Sequence, residues 1–307
     1  MSVRCNRQTR STTIPSNAGV SAEHARSGVL MAIAAQVSVQ MGMVVAIGLI
    51  DRIGSDGTAW LRLAWAGVLL LIVVRPRPSA FTWRTFGMCV VLGCATAAIT
   101  LLFMASLDRL ALGTATALEF LGPLAVAVVH GKGRHRLLWP GLAAIGVVLL
   151  SQPFSGGIDP KGAFLAVSAG VCWAIYILLT QRVGDEVAGV NGLAVSMPIA
   201  GVVSSLFVST AVFERMTPQL LLIGLGMAIL LPVVPYVLEL LALRRLTTAA
   251  FGTLMSLEPA FALLVGFLLL DQAPGVAGIL GIAAVVAAGI GAARGGGREM
   301  AVPLEVG

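Results

Sequence analysis

The chain has 307 residues, of which 58% are hydrophobic and 11% are charged, and its formal net charge is +6. A soluble domain carries roughly 25% charged residues, so this composition excludes an ordinary water-exposed surface and predicts an integral membrane protein. The basic residues lie in short segments between apolar runs, which favours a role in membrane topology over binding to nucleic acid.

Apolar runs long enough to cross a bilayer follow one another along most of the chain. A helix needs about 20 apolar residues to span a hydrocarbon core of roughly 30 Å. Each run is bounded by charge, Pro or Gly, and Pro232 and Pro235 predict a kink or a break in the eighth run. Ten spans are predicted, at 28–50, 58–74, 85–107, 112–130, 136–152, 162–181, 191–212, 218–243, 248–270 and 274–293.

The two ends of the chain differ in composition from the spans. Residues 1–27 are rich in Ser, Thr and Arg and are predicted to form a flexible cytoplasmic tail, with a mitochondrial transit peptide as the alternative. Residues 294–307 begin with a Gly-rich stretch and are predicted as a second cytoplasmic tail.

The distribution of Lys and Arg predicts the orientation. With the N-terminus inside, the inner segments hold fifteen basic residues and the outer loops four, while Arg62 lies within a span. The positive-inside rule expects such a bias. It supports cytoplasmic termini and an even number of spans.

Two pairs of segments indicate an internal repeat. RLALGTATALEFLGP, at 109–123, matches RLTTAAFGTLMSLEP, at 245–259, and GVLMAIAAQV from Gly28 resembles GAFLAVSAGV from Gly162. The copies lie 134 to 136 residues apart, which corresponds to five spans, and an odd number of spans inverts the second copy. The pattern therefore predicts two inverted five-helix repeats, at 28–152 and 162–293, an arrangement found in many secondary transporters.

Glu119 and Glu258 are predicted to lie near the membrane midplane, roughly 10 to 15 Å into their spans at 1.5 Å per residue. A carboxyl group at this depth must face a cavity, pair with a cation or carry a proton. It could exchange a proton between the two sides or bind the ammonium group of a substrate. The structural alternative is a Glu satisfied by neighbouring hydroxyl or backbone groups.

Two further charged residues fall within spans. Arg62 could bind a substrate carboxylate with two parallel hydrogen bonds, extend outward to water, or pair with Glu119 or Asp56. Glu239 is five residues from Arg244, near the predicted inner surface, and a structural ion pair is the favoured interpretation.

Prolines and aromatic residues near the acids are secondary candidates. Pro123 and Pro259 free a backbone carbonyl one turn earlier, which could bind a cation or a proton or could only accompany a kink. Trp173, Tyr176 and Tyr236 lie well inside spans, where they could line a cavity or pack in the core.

Motifs of other protein classes are absent from the sequence. The basic stretch at 130–136 lacks the spacing of a phosphate-binding loop, and neither HExxH nor GxSxG occurs. The four cysteines form no CxxC pair, and no histidine is close enough to them in the sequence to suggest zinc. No metal site is therefore predicted. The chain is therefore predicted to be neither an ATP-driven pump nor an enzyme, and to need no cofactor.

Four segments together resemble one family. ALEFLGPLAVAV (117–128), GVCWAIYILLTQR (170–182), PYVLELLALRRL (235–246) and FGTLMSLEPAFA (251–262) are similar to the EamA branch of the drug/metabolite transporters, and most of all to its bacterial threonine/homoserine exporters. The resemblance covers about residues 28–293. It implies ten helices in two inverted EamA repeats, placed in a bacterial inner membrane.

The resemblance also bears on individual residues. Arg62 matches an Arg-Leu pattern of the family's second helix. The resemblance also strengthens the case for three acids and three aromatic residues, which are Glu119, Glu239, Glu258, Trp173, Tyr176 and Tyr236. Asp271 stands where relatives often carry Glu, which weakens any role for an acid there. The first helix, with Gln36 and Gln40, matches less closely and leaves the substrate open.

The leading hypothesis is a proton antiporter that exports small zwitterions such as threonine or homoserine. Its expected partners are the amino acid, a coupling proton and the lipid bilayer, and the sequence leaves a homodimer open. Efflux of another metabolite or drug is the alternative within transport. A nucleotide-sugar exchanger would need more basic residues inside the spans, and a non-transporting scaffold would not need midplane carboxylates.

Overall fold

The computed structural model describes residues 17–77, 79, 81–130, 138–151, 158–186, 191–243, 245–246, 251 and 254–295. Within these residues the backbone is almost entirely helical and contains no β-strand. The rest of the two predicted tails, at 1–16 and 296–307, and the basic segment at 131–137 lie outside them. The α-helices are α1 (Asn17–Val74), α2 (Trp83–Leu107), α3 (Leu112–Glu119), α4 (Leu121–His130), α5 (Leu138–Ser151), α6 (Pro160–Glu186), α7 (Asn191–Ser205), α8 (Thr210–Arg215), α9 (Pro218–Ala228), α10 (Val234–Leu243), α11 (Glu258–Leu269) and α12 (Val276–Gly295).

Helix α1 is divided into two arms at Gly54. A straight helix of this length would measure about 87 Å, nearly three times the bilayer core. Gly54 instead adopts φ 78° and ψ 168°, a conformation that is accessible because glycine has no Cβ. The Thr58 hydroxyl donates a hydrogen bond to the Gly54 carbonyl at 2.8 Å. The two arms therefore contain the predicted spans 28–50 and 58–74, and the first arm already begins at Asn17, inside the predicted tail.

Several predicted spans contain breaks that hydropathy does not detect. The run 112–130 is divided at Phe120 into α3 and α4. The run 191–212 ends as a helix at Ser205, and α8 follows after a turn. The run 218–243 contains a π-helical turn, Ile229–Val233, between α9 and α10. A hydropathy window averages over many residues and cannot report a break of one or two.

The helices have the length and surface of a membrane protein. Among the described residues, four are long and apolar enough to cross a bilayer: Arg26–Val74, Trp83–Leu107, Pro160–Leu179 and Pro218–Glu239. Shorter apolar helices occupy Leu112–Val126, Asn191–Ser205, Glu258–Leu269 and Val276–Gly291. Large apolar side chains such as Leu206, Phe164 and Val73 are 70% or more exposed, as expected for a lipid-facing surface.

Glycines of the two sequence repeats make matching contacts. A Cβ placed on Gly28 would lie 2.8 Å from Leu246 Cγ and 2.9 Å from Arg245 Cβ. A Cβ on Gly162 would lie 2.8 Å from Leu110 Cγ and 2.9 Å from Arg109 Cβ. Each copy of the glycine segment thus packs against the Arg-Leu pair of the other copy. Close approach at small residues is typical of helix contacts in membranes.

An aspartate stabilises the start of α6. Asp159 Oδ1 accepts hydrogen bonds from the backbone N–H groups of Lys161 at 2.7 Å and Gly162 at 3.2 Å. Its Oδ2 accepts a hydrogen bond from Arg109 Nη1 at 2.7 Å. The pKa of Asp159 is held below its usual value, mainly by the hydrogen bond from Arg109 and to a smaller extent by that from the Gly162 backbone. This carboxylate therefore links the Arg-Leu pair of the first repeat to the helix that packs on it.

Candidate functional site

Glu119 lies at a helix break in the interior of the protein. Glu119 is the last residue of α3, and Phe120 separates it from α4. Only 7% of its surface is exposed to solvent. A Cβ placed on Gly170 of α6 would lie 2.5 Å from the Glu119 carbonyl oxygen. The backbones of α3 and α6 are therefore in direct contact at this acid. Glu119 is therefore buried within the protein, and its position near the membrane midplane stays a prediction.

Glu258 begins a helix inside the membrane domain. The chain forms a turn at Ser256 and Leu257, and Glu258 and Pro259 then open α11. The N-terminus of a helix carries a partial positive charge and unpaired N–H groups, so it favours a nearby anion. Glu258 also interacts electrostatically with Glu119, which joins the two predicted acids in one site.

Arg62 lies on the second arm of α1, eight residues after Gly54 and so roughly 12 Å along the axis. Its Nε is buried and has no hydrogen-bond partner within the described part of the chain. The guanidinium interacts electrostatically with Glu119. Asp56, the other acid that the sequence suggests as a partner, accepts a hydrogen bond from Ser209 N at 2.8 Å. Of the two predicted partners, Arg62 is therefore associated with Glu119.

Glu239 extends the charged group along α10. It interacts electrostatically with Glu258, whereas Arg244, its predicted partner, lies outside the described residues. Tyr236 stands one turn earlier on the same helix, just after the π-helical turn, and is partly buried. We call Arg62, Glu119, Glu239 and Glu258 the central cluster, because each interacts electrostatically with at least one other member.

The two aromatic candidates on α6 pack against apolar clusters. Trp173 makes an edge-to-face contact with Phe120, with ring centroids 6.5 Å apart. This contact places Trp173 next to the break that follows Glu119. Tyr176, one turn further, packs with Cys89 and Leu92 of α2. Trp173 is thus adjacent to the central cluster, while Tyr176 contacts α2.

The two prolines have different local roles. Pro123 has no N–H to donate to the Glu119 carbonyl, and that carbonyl faces the backbone of Gly170. Pro259 is in the first turn of α11, where its missing N–H is no loss to the helix. Pro123 thus lies one turn after a helix crossing and Pro259 at a helix start, and a role for either proline in binding a cation or a proton stays a prediction.

Gln36 and Gln40 are buried amides that are not among the site residues predicted from the sequence. They lie one turn apart on the first arm of α1 and are 3% and 1% exposed. Gln36 Nε2 donates a hydrogen bond to Met255 Sδ at 3.3 Å. Met255 precedes Glu258 by three residues. The signal was available in the sequence, because two amides at i and i+4 within an apolar run are costly in a membrane unless they are used.

The central cluster combines three carboxylates with one guanidinium. If all four were ionised, two negative charges would be in excess, which is costly at membrane depth unless protons or a bound cation balance them. The arrangement can therefore bind a proton or an ammonium group at the acids and a carboxylate at Arg62. Within the described residues, no group of three or more His, Cys, Asp or Glu side chains is placed to hold a metal ion.

A surface cavity lies apart from these residues. It measures about 510 Å³ and is lined by Pro76, Phe81, Thr82, Trp83, Phe86 and Val195. The walls are mostly apolar and include no ionisable side chain. This cavity therefore offers a ligand no charged side chain.

Comparisons with known proteins point to one family. The EamA-like transporter family matches residues 160–292. The threonine/homoserine exporter RhtA of Salmonella typhimurium LT2 is 36% identical over 270 residues, covering 86% of this chain and 90% of that protein. RhtA of Escherichia coli K12 is 34% identical over the same length and coverage. The resemblance to the exporter branch that the sequence analysis drew is confirmed.

A solved crystal structure has the same fold. It aligns with a TM-score of 0.58 over 86% of this chain and 95% of that chain, at 16% sequence identity. At this identity the similarity concerns the fold alone. The chain is therefore similar to exporters in sequence and to a solved structure in architecture.

Proposed function

Because the chain belongs to the EamA-like transporter family, whose members are transporters and not enzymes, we propose that it exports small zwitterionic amino acids, threonine or homoserine, in exchange for protons. The observation that carries this proposal is the central cluster, in which Glu119 is buried and the other three members are partly buried, with its excess of carboxylates over guanidinium groups. The relatives named as threonine/homoserine exporters support the choice of substrate.

Competition at the acids would couple the two fluxes. An ammonium group bound at Glu119 or Glu258 balances the negative charge that a proton would otherwise balance, so amino acid and proton replace each other. Arg62 binds the carboxylate of the amino acid, and Glu239 relays protons toward Glu258. Trp173 and Tyr236 border the substrate, and Tyr176 supports α6.

The proposed architecture has ten membrane-spanning helices in two inverted EamA repeats, at 28–152 and 162–293. The reciprocal contacts of Gly28 and Gly162 with the Arg-Leu pairs support this symmetry. The excess of basic residues on one side supports cytoplasmic N- and C-termini in a bacterial inner membrane.

Counterflow in proteoliposomes tests the proposal. Vesicles that contain the purified protein are loaded with unlabelled threonine and supplied with labelled threonine or homoserine, with and without a pH gradient. We expect gradient-sensitive uptake. Glu119→Gln and Glu258→Gln should each abolish the response to the gradient, because an amide cannot exchange a proton.

Glu214→Gln is the matched control. Glu214 is an exposed acid of α8, so its replacement should leave uptake and the gradient response unchanged. Full coupling in both central variants would exclude the acids as the proton site. Absence of threonine and homoserine uptake by folded wild-type protein would exclude the substrate assignment.

A further inference from the structure

Buried polar atoms without partners occur at three side chains of α1. Gln36 Oε1, Gln40 Oε1 and Arg62 Nε are each buried, and none has a hydrogen-bond partner among the described residues. An unpaired buried polar group costs about 1–3 kcal/mol, so such atoms are rare in native structures unless they have a use.

The chemistry of these atoms specifies what would satisfy them. An amide oxygen only accepts hydrogen bonds, and the guanidinium Nε–H only donates them. A complementary ligand must therefore present one acceptor to Arg62 and donors to the two glutamines. A carboxylate supplies the acceptor, and a hydroxyl or an ammonium group supplies the donors.

The amide of Gln36 is held in one orientation. Its Nε2 donates to Met255 Sδ at 3.3 Å, so the amide nitrogen faces the segment that precedes α11 and the oxygen faces away from Met255. Ser38, between the two glutamines, faces another helix, since its hydroxyl donates to the Leu230 carbonyl at 2.8 Å. Gln36 and Gln40 share a face of α1 because they are four residues apart.

The repeat shows that helix packing does not require these amides. At the 134-residue offset that relates Gly28 to Gly162, Gly170 is equivalent to Gln36 and Ala174 to Gln40. Gly170 packs directly on Glu119, and Gln36 contacts Met255, which is equivalent to Glu119 at the 136-residue offset. The same helix crossing is thus built once with Gly and Ala and once with two glutamines.

We propose that Gln36 and Gln40 form the side-chain subsite of the transport site, where their two amide oxygens share the single O–H donor of the hydroxyl group of a small amino acid in a three-centre hydrogen bond. This assignment rests on the proposed function. Arg62 and the acids bind the carboxylate and ammonium groups that all amino acids share, and the glutamine pair distinguishes hydroxylated amino acids from apolar ones of equal size.

Paired substrates of equal shape test the subsite. Threonine and valine differ by a hydroxyl in place of a methyl group, as do homoserine and norvaline. Uptake of each labelled amino acid is measured in proteoliposomes loaded with the same unlabelled compound, and kcat/KM values are compared. Wild type should prefer threonine to valine by roughly tenfold or more, since a site built for a hydroxyl group rejects analogues that lack one.

Gln36→Met and Gln40→Met remove the acceptor at nearly constant volume. Each should lower the threonine-to-valine ratio several-fold, mainly through loss of threonine transport, while valine transport stays near the wild-type level. Gln219→Met, at an exposed position of α9, should keep the wild-type ratio. Gln36→Asn and Gln40→Asn, which withdraw the oxygen by one methylene, give the same comparison if a methionine variant does not fold.

The outcomes separate the two proposals. Absence of threonine transport by the wild type would exclude the proposed function. Equal transport of threonine and valine by the wild type would exclude the subsite but not the proposed function. A wild-type preference that persists in every variant of Gln36 and Gln40 would do the same. A preference lost at Gln36 or Gln40 and kept in Gln219→Met would establish the subsite.

Discussion

Arg62 shows how much the role of one charged residue depends on its surroundings. Its Nε is buried and has no hydrogen-bond partner in the part of the chain that the structure describes, and its charge interacts with Glu119 on a different helix. A guanidinium is planar and presents donors in a fixed fork that fits a carboxylate, whereas an ammonium group is a point charge. The shape of the side chain, and not only its charge, should therefore matter.

Arg62→Lys should raise the KM for threonine by about tenfold, equivalent to about 1.4 kcal/mol, because one of two parallel hydrogen bonds to the substrate carboxylate is lost. The measurement is the concentration dependence of counterflow. Arg52→Lys, at an exposed position of α1, should leave KM unchanged. An unaltered KM in Arg62→Lys would contradict a bidentate contact.

At the residue scale, the sequence predicts the charged members of the site better than the neutral ones. Glu119, Glu258 and Arg62 are identifiable because ionisable residues are costly inside apolar runs. Their mutual proximity is not identifiable, since it depends on how α1, α3 and α11 pack. Gln36 and Gln40 were passed over because a neutral amide in an apolar run gives a weaker signal than a charge.

At the scale of single elements, the informative features are interruptions. α1 bends at Gly54, α3 ends at Glu119, and α11 begins at Glu258. Broken helices at membrane depth occur where they line protein or a water-filled cavity. The sequence predicts the helices through hydropathy, but it indicates a break only where Pro or Gly stands near the interruption.

Gly170→Ala tests the contact between α3 and α6. The added Cβ would lie 2.5 Å from the Glu119 carbonyl oxygen, so backbone must move. We expect a lower Tm in detergent, corresponding to about 1–3 kcal/mol of overpacking, together with reduced transport. Gly278→Ala is the control, because no described residue lies within 4 Å of its Cβ position and alanine favours a helix. Equal Tm values for the two variants would contradict the close crossing.

Asp159→Asn tests the start of α6 and predicts a pH dependence. The folded-state pKa of Asp159 is lowered, first by the hydrogen bond from Arg109. Its stabilising contribution is therefore present above the unfolded-state pKa of about 3.9 and is lost as pH falls through the lower folded-state pKa. Wild type should melt above Asp159→Asn at pH 7, and the difference should close in acid.

Melting curves from pH 7 to pH 3 provide the measurement for Asp159. Asp108→Asn, at the exposed C-cap of α2, should melt like the wild type throughout. A Tm difference for Asp159→Asn that is independent of pH would show that its carboxylate charge is not responsible.

At the scale of the whole molecule, the polar groups are distributed unevenly over a symmetric plan. The contacts of Gly28 and Gly162 are nearly identical. At the same offset, however, Arg62 is equivalent to Ser196. Repetition predicts the scaffold from sequence, whereas the site depends on the positions where the two copies diverge.

Labelling of single cysteines tests the proposed orientation. In a variant without Cys5, Cys89, Cys94 and Cys172, the substitutions Asp108→Cys and Glu214→Cys should react with a membrane-impermeant maleimide in intact cells. Arg77→Cys should react only after the membrane is permeabilised. Reaction of all three cysteines in intact cells, or the reverse pattern, would contradict the orientation.

The reciprocal glycine contacts have a mechanical consequence. One rocking motion would open the contact of Gly28 with Arg245 and Leu246 and would pivot on the contact of Gly162 with Arg109 and Leu110. The opposite motion would open the Gly162 contact and pivot on the Gly28 contact. The two pivot contacts differ, because Arg109 forms an ion pair with Asp159. At the 134-residue offset Asp159 is equivalent to Ala25, which cannot form such a pair with Arg245. We therefore expect the resting population to favour the state in which the Arg109 contact is intact, and higher ionic strength to reduce this preference.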